Sequence, residues 1–129
     1  MAAPMIPALN DAELEAILET ARDAGATLAS YILLRLPLEI AGLFEEWLQT
    51  HVPNRAKHVM NLVYGARGGK AYDPTYGTRM RGTGEYAAML KKRFEIAASR
   101  LGLNPQDRNR LDTSLFRPPL ERDGQLSLF

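Results

Sequence analysis

Apolar and polar positions along this chain follow first one rhythm, then another. Ala2 to Ile6 is a short apolar run that predicts a strand, and Pro4 and Pro7 confine it to a sheet edge or end. Asn10 and Asp11 then offer side-chain oxygens for a helix N-terminus, with Glu13 at the capping-box distance from Asn10. Leu14, Ile17, Leu18 and Ala21 recur at helical spacing, and Gly25 follows as the stop. "TLASYILLRL", Thr27 to Leu36, predicts a strand buried on both faces. Strand, helix and strand form a right-handed crossover, which implies parallel pairing.

Everything after Pro37 reads as helix and loop. One helix is expected from Leu38 to His51, with Ile40, Leu43, Phe44, Trp47 and Leu48 on one side and Pro53 as its stop. A second runs from Arg55 to Ala66, and a third from Glu85 to Leu101. Between them lies "GARGGKAYDPTYGTRMRGTG", a glycine-rich loop from Gly65 to Gly84. Beyond Asn104 the chain is polar and Pro-marked, an extended tail from which Leu115 and Phe116 dock on the body. The fold class is therefore α+β and mostly helical: a β-α-β start over 1–36, a helical body over 37–104 and a tail over 105–129. Two parallel strands alone make a poor sheet, because parallel pairing belongs in larger sheets covered on both faces. The β-α-β start reads as the remnant of a larger α/β fold.

Composition narrows the chemistry. The 129 residues suit one domain with its own core. Cysteine is absent, so this chain offers no disulfide, thiolate metal site or cysteine nucleophile. No apolar run reaches membrane-spanning length and no charged leader is visible, so a cytoplasmic protein is expected. Net charge is +1 but segregated: residues 1–50 are acidic, and residues 51–110 are strongly basic. That basic stretch is either an attraction for phosphate groups or a solvated face.

The loop concentrates the candidates. Arg67, Lys70, Arg79 and Arg81 alternate with Tyr72, Tyr76 and glycines, the residue types that contact a phosphate backbone and stack on bases. The competing reading is a structural loop whose tyrosines pack on helices and whose Asp73 pairs an arginine. Walker spacing is missing. Lys91, Lys92, Arg93 and Arg100 mark either a DNA-facing helix or the wet side of an amphipathic one. His51 and His58 are separated by Pro53, which argues against a zinc pair, and no nucleophile-elbow motif is present.

The ordered phrases "APMIPALNDAELEAIL", "AGATLASYILLRLP", "LFEEWLQTHVPNRAKHVM", "RGGKAYDPTYGTRMRGTG" and "LDTSLFRPP" resemble the C-terminal part of a bacterial radical S-adenosylmethionine protein family related to spore photoproduct lyase. The resemblance spans residues 2–120. It implies that the first two phrases are the last strand, helix and strand of a six-fold βα barrel, and the rest a helical extension. It also implies S-adenosylmethionine and a [4Fe–4S] cluster in the parent protein, held by cysteines this chain does not have. The chain is then a truncated or split product, catalytically inactive alone, whose partner is the missing N-terminal barrel half. Barrel ligands sit at the C-terminal strand ends. Met5, Ile6 and Arg35 thereby become candidates for cofactor contact, with Arg35 suited to a carboxylate or, alternatively, to pairing with Glu39.

The last five residues, Gln125, Leu126, Ser127, Leu128 and Phe129, resemble the pentapeptide with which bacterial polymerases and repair proteins dock on the sliding clamp. A disordered peptide that orders in an apolar groove would bind in this way. The competing readings are a tail that fills a groove of its own body, and a chance match. A non-enzymatic adaptor that binds the clamp, DNA or both is the alternative function.

Overall fold

The computed structural model describes residues 1–105 and 114–117. The chain order is β1 (Ala2–Met5), a 3-10 turn (Asp11–Glu13), α1 (Leu14–Asp23), β2 (Tyr31–Leu33), α2 (Ile40–His51), α3 (Pro53–Gly65) and α4 (Gly84–Arg100). The expected strand, helix and strand are present, and β1 and β2 pair in parallel, Ala2 opposite Tyr31 and Met5 opposite Leu33. Among the described residues these are the only two strands of the sheet.

Among the described residues, one face of the sheet is fully covered and the other only in part. Ala2, Met5, Tyr31 and Leu33 point into a core built with Leu14 and Leu18 of α1 and Leu90, Phe94, Ala97 and Ala98 of α4. Tyr31 and Phe94 meet ring to ring at 5.0 Å. Burying each large apolar side chain here contributes about 1.5–3 kcal/mol. Ala3 and Pro4, by contrast, are exposed and Ile32 is half-buried. A second core sits beyond the strand ends: Leu34 and Leu36 pack with Leu48 of α2 and Ala56, Val59, Met60 and Val63 of α3.

β2 is shorter than the run Thr27–Leu36, and the hydrogen bonds give the reason. The backbone N–H of Ala29 donates to Asn104 Oδ1 at 2.9 Å, and the Asn104 Nδ2 donates to the Ala29 carbonyl at 2.9 Å. Ala29 thus finds its partners in a side chain rather than a neighbouring strand. Past Leu33 the carbonyls turn to Arg67, described below.

The helix ends are mixed. Gly25, at φ +93, closes α1 as expected: its N–H donates to the Arg22 carbonyl while Ala26 N–H reaches Ala21. The expected capping box does not form. Asn10 instead turns back to β1, its Oδ1 accepting from Ile6 N–H at 2.6 Å and its Nδ2 donating to the Pro4 carbonyl at 3.0 Å. Because Pro7 and Ala8 (φ +57) swing the chain around, Asn10 serves that turn before it can serve the helix.

The basic helix α4 pairs with the acidic helix α1. Arg93 grips Glu15 with Nε at 2.9 Å and Nη2 at 2.6 Å, and Arg100 pairs with Glu19. Tyr86 donates to Asp11 at 2.8 Å, and burial, helped by that bond, raises its phenol above the usual range. Arg93 and Arg100 are therefore committed to a seam within the protein. Lys91 pairs with Glu95, and Lys92 faces solvent. No helix among the described residues is long and apolar enough to cross a membrane.

Candidate functional site

The strand ends and the loop after α3 come together in one place. α3 runs out at Gly65 and delivers Arg67 beneath the loop, where it is 3% exposed. Its Nη2 donates to the Leu33 and Leu34 carbonyls at 3.2 and 2.9 Å, and its Nη1 to the Thr78 and Arg79 carbonyls at 3.2 and 2.8 Å. Burial pushes its guanidinium pKa down, and the charge of Asp73 opposes that shift. The fork thus ties the free edge of β2 to the loop. The Leu33 N–H on the same edge donates to the Met80 carbonyl at 2.9 Å. Loop backbone fills the place that a further strand would take.

Gly82 makes the close approach possible. Its φ is +75, and a Cβ there would meet Leu33 Cδ2 at 2.8 Å and the Ala66 carbonyl oxygen at 2.9 Å. Asp73 braces the loop tip. Its carboxylate accepts from Thr75 N–H and Thr78 Oγ1, each at 2.9 Å, and those bonds, Thr75 foremost, hold its pKa down to about 2. The charge of Arg67 lowers that pKa further, as the smallest of its causes.

Each sequence candidate has a definite position. Met5 is 1% exposed and faces the α1–α4 core, and Ile6 packs on the second core. Neither side chain lines an open strand-end surface: Met5 is turned toward α1 and α4, and Ile6 toward the cluster of α2 and α3. Arg35 is the one candidate of that group with polar atoms at the strand end. It does not pair with Glu39. Its Nη2 donates to Tyr72 Oη at 3.0 Å, its Nη1 lies 3.5 Å from the Met80 sulfur, and its Nε is buried without a partner.

The basic loop divides in two. Arg67 is consumed by carbonyls, as above, and is not a surface contact. Arg81 lies over the Tyr31 ring at 4.2 Å, a cation–π contact that closes the core beneath it. Lys70 and Tyr76 are exposed, and Arg79, half-buried, stacks over Tyr76 at 5.7 Å. Lys70 and Tyr76 are the exposed pair, while Arg79 and Arg81 are both half-buried, each over a ring. The expected extended segment falls largely outside the described residues, as do Gln125, Leu126, Ser127, Leu128 and Phe129. Leu115 and Phe116 are exposed rather than docked.

The chain has no thiolate for an iron–sulfur cluster, so its residues do not fit that group. Among the described residues, no three His, Asp or Glu side chains gather as metal ligands. The strand end holds the Arg35 guanidinium on Tyr72, and the loop is braced by Asp73, with Lys70 exposed on it. Comparison with family models, with curated proteins and with solved structures finds no match.

Proposed function

We propose that this chain is the C-terminal portion of a radical S-adenosylmethionine iron–sulfur protein of the DNA-repair-lyase-like group, not catalytic by itself. It contributes the last strand–helix–strand of a barrel whose other strands carry the cluster. The observation that carries this reading is the half-covered sheet. Two parallel strands with Ala3 and Pro4 exposed on one face, and no further strand among the described residues, are what a severed α/β sheet leaves. The resemblance of the sequence phrases agrees with it. In this reading the [4Fe–4S] cluster and its electron belong to the neighbour. Arg35 presents a guanidinium toward the carboxylate of S-adenosylmethionine or an anionic substrate.

The test is to express the chain with the cluster-bearing first four βα units of a family member. The expected result is an assembly that holds iron and binds S-adenosylmethionine, more weakly after Arg35→Ala. An assembly indifferent to Arg35→Ala removes that residue from the site, and failure to bind S-adenosylmethionine at all overturns the reading.

A second reading keeps one observation of its own. The exposed Lys70 and the Arg79–Tyr76 stack suit a nucleic-acid backbone and a base. With the terminal pentapeptide, they support an adaptor that binds DNA, the sliding clamp or both. Loss of clamp capture on deleting Gln125 to Phe129 would support the clamp contact, and retained capture would dismiss it.

A further inference from the structure

We propose that the outer face of α2 is a docking surface for a basic amphipathic helix of a partner protein. α2 buries only Leu48 fully. Ile40 is 45% exposed, Leu43 61% and Trp47 45%, and Leu38, just before the helix, is 86% exposed. Ile40, Leu43 and Trp47 recur at three- and four-residue steps, so they form one stripe along the helix. A contiguous apolar stripe of this kind on a surface marks a contact with another molecule.

Two details set this stripe apart from scattered surface leucines. Its aromatic side chains already contact one another. Phe44 and Trp47 stack at 5.9 Å and 9°, and Trp47 and His51 meet at 5.0 Å, a ladder along the helix. Rings held in place lose little further freedom when a partner arrives. Leu38 is also held in the left-handed region, φ +50, where a branched side chain is disfavoured, and it points to solvent.

Charge selects the occupant. Glu39 and Glu46 flank the stripe on its solvent side by helical position, and Glu45 lies further round, bonded to Tyr64 at 2.7 Å. Neither lysine nor arginine occurs from Leu36 to Val52, and His51 is the one basic-capable side chain on α2. An apolar stripe with an acidic border fits a helix of leucines bordered by lysines or arginines. The same border disfavours an anionic membrane, and it disfavours a second copy, which would bring acids against acids.

Trp47 is the single tryptophan, so its fluorescence reports on this face directly. The full chain is titrated with a synthetic Lys/Leu amphipathic helical peptide, and with a Glu/Leu peptide of the same pattern. The expected result is a saturable blue shift with the Lys/Leu peptide alone. Leu43→Ser, at an exposed position that spares the core, should weaken it about tenfold, and Glu39→Lys with Glu46→Lys should weaken it similarly. An equal response to both peptides, or no effect of Leu43→Ser, overturns the proposal. A blue shift that grows with protein concentration alone, with dimers in sedimentation equilibrium, assigns the face to a second copy instead. A blue shift on zwitterionic lipid vesicles assigns it to a membrane surface and likewise overturns the proposal.

Discussion

Replacing Arg67 with methionine keeps most of the stem and removes the fork. Four carbonyls then lose their donor: Leu33, Leu34, Thr78 and Arg79. The bonds to Leu33 and Leu34 are buried, and an unsatisfied buried acceptor costs about 1–3 kcal/mol. The loop carbonyls of Thr78 and Arg79 are only part-buried and regain water, so they add less. Against this, the variant no longer desolvates a guanidinium that is 3% exposed, and it gains apolar packing. The two buried acceptors set the scale, and the relieved desolvation lowers it, so the net expectation is a loss of about 2–4 kcal/mol, a large part of a total of about 5–15 kcal/mol. Arg67→Lys retains the charge but cannot span two pairs of acceptors, and should lose about 2 kcal/mol or more. Urea unfolding followed by far-UV circular dichroism measures both. A loss below about 1 kcal/mol for Arg67→Met at unchanged slope would refute the latch.

Three other perturbations probe neighbouring parts of the account. Gly82→Ala combines a positive φ with a 2.8 Å approach to Leu33, so it should cost about 2 kcal/mol or more in the same unfolding assay. Glu15 has its pKa lowered chiefly by its hydrogen bond to Arg93, and Asp73 has its own held down to about 2. Both contribute stability that is present above their unfolded values of 4.5 and 3.8 and lost as pH falls through the folded ones. The melting temperature should therefore be level near neutrality and drop below about pH 4.5, and Glu15→Gln should flatten the start of that drop. If the loop grips DNA, Lys70→Ala with Arg79→Ala should reduce the salt slope of binding by about 0.9 per lost contact, and an unchanged slope leaves the loop a structural role only.

Much of the fold was legible because its signals are local. Leu14, Ile17, Leu18 and Ala21 give α1 by spacing, and Pro53 separates α2 from α3. The parallel pairing of β1 and β2 followed from one crossover. What the sequence obscured were side chains whose partners lie far along the chain. Asn104 takes the backbone groups of Ala29, just ahead of β2, from 75 residues away, and no local pattern announces that. Arg67 looked like one of several loop cations, yet it is buried among carbonyls while Lys70, three residues on, is exposed. Composition gives both the same charge, and only the packing of the loop against β2 separates them. Asn10 and Arg35 show the same limit: each has an obvious local partner, Glu13 or Glu39, and takes a distant one or a turn instead. Met5 sits at the end of a strand, but its pleat position aims it at α1 and α4.

The central claim is that a partner's strand completes the sheet across β1, because the edge of β2 is already occupied by the loop. Hydrogen–deuterium exchange on the chain, alone and mixed with the cluster-bearing first four βα units, tests it directly. The account predicts slowed exchange in peptides covering residues 1–6 on mixing, and no change in those covering Tyr31 to Leu33. No slowing at β1, or slowing confined to β2, would contradict it.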